Sequence, residues 1–146
     1  MIEILSTVSG KIHTDDTIKP GCWVRLVLPT DDELDYVCGK LGLNTSDLKI
    51  LLDEEELPRF EQEDDYTLIL VDTPYKSDAE DITSYQTIPA GFVLMKDCIV
   101  TISLRRNPVL TASIRQSQRI ARFPSATSTI PLTEPILKTI LTMAIG

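Results

Sequence analysis

The sequence predicts an α/β (α+β) domain, a mixed β-sheet flanked by helices. Three observations carry that prediction. Strand and helix patterns alternate: Cys22–Leu28 has a period of two, and the segment after Thr30 has the helical period. The run Leu68–Val71 is continuously apolar and bounded by polar turns, as in a strand buried on both faces. The stretch TIPAGFVLMKDCIVTISL reads as two strands joined by a two-residue turn at Lys96–Asp97.

In chain order, Ile2–Val8 reads as a strand. Ser9-Gly10 turns it, and Lys11-Ile12-His13 returns as a short partner with His13 exposed. Asp15-Asp16 and Pro20-Gly21 mark a loop. In Cys22–Leu28, Cys22, Val24, Leu26 and Leu28 share one face, and Trp23, Arg25 and Val27 share the other. Trp23 reads as a large core side chain. Pro29 ends the strand. Thr30 with Glu33 three residues on forms a capping box. The helix over 31–41 puts Leu34, Val37, Cys38 and Leu41 on one stripe, and Gly42 stops it.

Asn44, Thr45 or Ser46 can cap a second helix over 46–53, whose apolar face is Leu48, Leu51 and Leu52. Pro58 forbids further helix. A strand pair follows across Pro58–Tyr75, turning at Glu63-Asp64-Asp65, with strand 66–72 its second member. Pro74–Ser84 reads as a polar loop. Tyr85–Met95, predicted as a strand over 87–95, carries Pro89 and Gly91, which point to a bulge or an edge position. The strand 98–104 completes a hairpin. Asn107 and Pro108 then open a helix with Val109, Leu110 and Ile114 on its apolar face and Arg115, Arg119 and Arg122 on a basic one.

Composition bounds the function. At 146 residues the chain suits one domain with a real core. Its apolar runs fall short of the ~18 residues that signal a membrane helix. Met1-Ile2-Glu3 shows neither the basic nor the apolar region of a signal peptide, so the chain as given reads as cytoplasmic. The net charge of −8 opposes general nucleic-acid binding. Charge is unevenly placed: 8 basic and 21 acidic residues lie up to Asp97, and 6 basic and 1 acidic from Cys98 onward. Such a split marks a contact between parts of an assembly, a membrane-facing end, or simply a solvated face of each sign. Cys22, Cys38 and Cys98 stand among apolar neighbours and read as buried, reduced thiols. A single histidine cannot build a His-rich zinc site.

No catalytic residue is expected. There is no Gly-x-Ser-x-Gly elbow and no phosphate-cradling glycine loop, and nothing places two carboxylates across a pocket. The one candidate for ion chemistry is the acidic run Asp53, Glu54, Glu55 and Glu56. Hard cations such as Mg2+ prefer carboxylate oxygens, and acids at a helix C-terminus oppose the macrodipole, a conflict that a bound cation would relieve. The plainer reading is that the helix ends before the run and the acids are solvated. Adjacent side chains diverge, so all four cannot ligate one ion.

Three patches carry a family resemblance. Leu48–Tyr75, with Pro58-Arg59-Phe60-Glu61 and Tyr66 before an apolar strand, resembles the soluble amino-terminal domain of the CorA family of divalent-cation channels. So do Gly21-Cys22-Trp23-Val24 with Pro29-Thr30 and the acids Asp31-Asp32-Glu33, and the hairpin TIPAGFVLMKDCIVTISL. The resemblance implies residues 1–123 as a CorA-like cytosolic domain and 124–146 as a divergent tail. Pro124, Pro131 and Pro135 break helices there, and the Gly-Met-Asn signature of the pore does not occur. What it implies for function is a role in magnesium or divalent-cation transport without enzymatic chemistry. Copies of the same chain would be the partners, a homopentamer in the intact channel, and the membrane would be met only through a pore region. The alternative is a stand-alone regulatory or protein-interaction domain. Some relatives place a Glu-Asp pair after the leucine matching Leu48, where it senses metal between subunits. Here those positions hold Lys49 and Ile50, which implies no cofactor beyond a weak Mg2+ or other divalent cation.

Overall fold

In the computed structural model, the described residues are 1–8, 11–76, 85–108 and 110–112. The elements run β1 (Ile2–Val8), β2 (Lys11–Asp15), β3 (Cys22–Val27), α1 (Asp31–Leu41), α2 (Thr45–Ile50), β4 (Arg59–Gln62), β5 (Tyr66–Lys76), β6 (Tyr85–Met95) and β7 (Cys98–Ser103). Pro108 and residues 110–112 are helical as well.

All seven strands form one sheet in the order β2-β1-β3-β7-β6-β5-β4. The last four are an antiparallel meander. β1 pairs antiparallel with both β2 and β3. The two groups meet in a single parallel ladder, β3 with β7, in which Cys22 faces Cys98 and Trp23 faces Ile99. The expected mixed sheet is therefore present, and strands 66–72 and 98–104 share it.

Period-two alternation divides the side chains between two cores. On one face Ile4, Val24, Leu26, Leu68, Leu70, Val93, Val100 and Ile102 pack under Leu34, Val37 and Cys38 of α1 and Leu48 and Leu51 of the α2 segment. On the other face Leu5, Trp23, Ala90, Phe92 and Ile99 gather around Leu110. The expected burial of Leu68–Val71 on both faces holds in this form: Leu68 and Leu70 are buried on the helix side, and Ile69 and Val71 are half-buried on the other. Trp23 is fully buried, and its indole N–H donates to Thr101 Oγ1 at 2.9 Å, which satisfies the one polar atom that a buried tryptophan carries. His13 is exposed in β2.

The helix starts follow the sequence. The Thr30 hydroxyl accepts from the Glu33 amide at 3.2 Å, and the Glu33 carboxylate accepts from the Thr30 amide at 2.9 Å. Gly42 ends α1 in the left-handed region at φ 69°, a conformation open to glycine at little cost. Asn44 caps α2, its side chain accepting from the Ser46 amide.

Three expectations are corrected, and one pair of alternatives is decided. β3 stops at Val27. Leu28 has φ 42° and is two-thirds exposed, so it turns the chain towards α1 and does not extend the Cys22 face. The second helix ends at Ile50, short of 53, so the acids are spared an unfavourable place at a helix C-terminus. β5 continues to Lys76, and Pro74 lies in the strand opposite Thr87. β4 reaches only to Leu70, so beyond it β5 has a partner on one side, the position where a strand tolerates proline. The register of β5 with β6 runs unbroken through Pro89, Ala90 and Gly91, so there is no bulge there. β7 pairs only as far as Ala90, which leaves Pro89 beside a single partner, the edge position that was the other of the two readings. The expectations for the 9–10 turn, the 77–84 loop, Ile114, the basic face at Arg115, Arg119 and Arg122, and the tail fall outside the described residues.

Candidate functional site

The acidic run lies in the turns between α2 and β4. Asp53 is occupied as a turn residue: its Oδ1 accepts from the Glu55 amide at 2.9 Å, and its carbonyl accepts from the Glu56 amide. Glu54 and Glu55 are exposed. Glu56 turns towards β4, where its carboxylate and that of Glu61 flank one guanidinium, Arg59. The four acids thus do not converge. One caps a turn, one is neutralised by Arg59, and two point to solvent. Among the described residues, no group of three or more His, Cys, Asp or Glu side chains is placed to hold a metal ion.

Lys49 reaches from α2 to Asp31 at the start of α1, 3.4 Å away. Both side chains are largely exposed, so the pair contributes little to stability. Asp47, at the start of the same helix, accepts from the Tyr66 hydroxyl at 2.6 Å. That hydrogen bond, which ionisation would break, pushes the Tyr66 phenol up to about 12, with burial and the Asp47 charge acting in the same direction.

Leu57 and Phe60 are the most exposed large apolar side chains beside this acidic turn, and β4 is an outer strand of the sheet. The surface here therefore combines carboxylates with two apolar side chains on a sheet edge.

Three arrangements were not anticipated from the sequence. Cys22 Sγ and Cys98 Sγ lie 3.3 Å apart, each buried at the first position of its strand. The hydrogen bond that the two sulfurs share lowers the Cys22 thiol and holds Cys98 well above the ordinary thiol range. The available signal was the shared pattern of Cys22-Trp23-Val24 and Cys98-Ile99-Val100, two strands that align in parallel from their first residue. Arg25 is buried on the Trp23 face, with Nη1 3.1 Å from Glu3 Oε2 and Nη2 3.4 Å from Thr111 Oγ1. It ties β1, β3 and the helix after Pro108 together. Asn107 Nδ2 donates to Thr73 Oγ1 at 2.7 Å, and that hydroxyl donates to the Ile88 carbonyl at 2.9 Å, a buried polar chain from the same helix to β5 and β6.

Known proteins share this arrangement. The model of the family described as CorA-like Mg2+ transporter protein matches residues 19–141, reaching past Phe123. The cobalt/magnesium transport protein CorA of Methanocaldococcus jannaschii is 38% identical over 80 residues, which is 55% of this chain and 24% of that protein. The solved soluble domain of CorA from Methanocaldococcus jannaschii superposes with a TM-score of 0.70 at 26% identity, covering 98% of this chain and 56% of that one. The complete CorA magnesium transporter of that organism gives 0.68 at 25% identity, with 98% and 45% covered. The cytoplasmic domain of ZntB from Vibrio parahaemolyticus gives 0.67 at 14% identity, covering 97% and 57%, a likeness of fold alone. This chain spans between 24% and 57% of the length of these proteins. Among the described residues no helix is long and apolar enough to cross a membrane. The matched span takes in most of the sequence, and the seven-stranded sheet with its helices is shared with the solved soluble domain, so the chain belongs to the CorA-like Mg2+ transporter family.

Proposed function

We propose that this chain is the cytosolic domain of a magnesium or other divalent-cation transport protein and acts with a membrane pore carried elsewhere in the intact protein. The observation that supports this most is the superposition of 98% of the chain on the soluble domain of a CorA protein, together with the family match. The role fits the site chemistry. The side chains that crowd together serve packing and ion pairing, and the acidic turn offers diffuse charge and not a metal cage. On this reading copies of the same chain are its partners, a pentamer when joined to the pore, and it lies at the cytosolic face of the membrane. On this reading residues 1–123 form the working domain, and the family match itself continues to residue 141.

The experiment is to sequence the gene and its transcript on both sides of this region. The uninterrupted frame is then expressed in a bacterium lacking its own magnesium transporters. Two membrane spans in the same frame and restored growth at low magnesium are the expected outcome. A frame without spans that still yields a folded chain would favour the stand-alone regulatory or interaction domain.

A further inference from the structure

We infer that Cys22 and Cys98 form a thiol–disulfide site, which a peroxide closes into an intramolecular disulfide. The two are direct partners in the parallel ladder of β3 and β7. Adjacent strands run about 4.8 Å apart, inside the Cα separation of roughly 4.4–6.8 Å that a disulfide spans. Both side chains stand on the helix side of the sheet, in one core, and the sulfurs are already in contact at 3.3 Å. Bond formation needs a closure to about 2 Å. That movement falls at the first residue of each strand, where the preceding chain is loop. The loops are tied to each other by the Gly21 amide, which donates to the Asp97 carbonyl. Pro20, Gly21, Lys96 and Asp97 are exposed, so the pair sits one residue inside the rim of the sheet, within reach of a small oxidant.

The chemistry balances with hydrogen peroxide as the oxidant. The Cys22 thiolate attacks one peroxide oxygen, the O–O bond breaks, and Cys22 becomes a sulfenic acid with release of hydroxide. The Cys98 sulfur then attacks the Cys22 sulfur. The S–O bond breaks, and the departing oxygen leaves as water with the Cys98 proton. Two electrons pass from the thiol pair to the peroxide, and two waters form in total. The hydrogen bond between the sulfurs favours Cys22 as the first nucleophile, since it eases removal of one proton and withholds the other. Cys38 supplies an internal control. It is buried on α1, burial raises its thiol, and it is free. The resulting bond fastens the starts of the two central strands across a separation of 76 residues.

The test treats the folded, reduced chain with a small excess of hydrogen peroxide and follows thiols and mass. Three titratable thiols should fall to one, with loss of two hydrogens. A digest without reductant should contain one new species joining the Cys22 and Cys98 peptides, which dithiothreitol separates. Cys38→Ser should leave the linkage intact, and Cys22→Ser or Cys98→Ser should abolish it. If those serine variants fail to fold, the digest of the unmodified chain decides alone. Three remaining thiols, a sulfinic acid on Cys22 without linkage, a bond to Cys38, or linkage only in urea would each overturn the site.

Discussion

Gly91 lies so close under Leu51 that a Cβ on the glycine would stand 2.7 Å from the Leu51 Cβ and 2.6 Å from Ile102 Cγ2. The first is bonded directly to the backbone and the second is a methyl one bond from Cβ, so neither is the far end of a flexible side chain, and both side chains are fully buried. The close approach lets the segment after α2 settle on the sheet. Gly91→Ala should therefore destabilise the fold by about 1–3 kcal/mol through overpacking. Urea unfolding should show a lower midpoint with an unchanged slope. An unaltered midpoint would mean that the α2 segment is free to lift from β6.

The α1 cap should respond to acid. The Thr30 amide, and after it the chain amino group at Met1, hold Glu33 below its ordinary value of 4.5. The unfolded chain takes up that proton first, so this contribution is present above the ordinary value and is lost as pH falls through the lower folded one. Glu33→Gln should flatten the acid limb of a stability–pH profile and leave the neutral region nearly level. Thr30→Ala removes the other half of the box and should cost about 1 kcal/mol at neutral pH.

Tyr66 should titrate late. Its phenol is pushed up to about 12 by the hydrogen bond it donates to Asp47. In the folded chain its tyrosinate absorbance should lag behind that of the same residue in the unfolded chain as pH rises past 10. Asp47→Asn should remove the lag. The contribution of this hydrogen bond to stability holds below 10, the ordinary value, and fades as pH rises towards about 12. Equal titration of Asp47→Asn and the unmodified chain would show that the contact does not persist in solution.

The acidic turn should not discriminate between cations. Asp53 is engaged with the Glu55 amide and Glu56 with Arg59, and the remaining acids point apart. At matched ionic strength, magnesium and calcium should raise the melting temperature equally and slightly, by screening the acidic surface. A specific site would instead add roughly 2.7 kcal/mol at a hundredfold excess of ion over Kd. A large shift with magnesium alone, lost in the Asp53→Asn/Glu56→Gln double variant, would reinstate the run as a metal site.

Much of the fold was legible because the signals were local. The capping box at Thr30 and Glu33, the stop at Gly42 and the hairpin turn at Lys96–Asp97 are each specified within a few residues. The corrections share one cause: tertiary neighbours decide where an element ends. Pro74 read as a loop signal, yet it is carried in a strand whose other neighbour has stopped, whereas Pro89 takes the edge position that was one of its two readings. Leu51 and Leu52 kept the helical apolar spacing, but the helix ends at Ile50 and the two leucines reach the core from a turn. The acidic run was visible as composition, whereas its geometry depended on Arg59 and on the Asp53 turn. The Cys22–Cys98 contact joins residues far apart in sequence, and it became visible only once β3 and β7 were aligned.

That one parallel ladder also governs the order in which the domain can be completed on the ribosome. β1, β2 and β3 have all been made once Val27 is in place, but the inner edge of β3 has no strand to pair with until β7 ends at Ser103. Contacts between such distant residues form slowly, because a long loop must close before they are rewarded. The nascent chain therefore carries an open, apolar edge at β3 through the synthesis of some seventy residues. Binding by a chaperone should concentrate there and cease when the meander from β4 to β7 folds back to cover it.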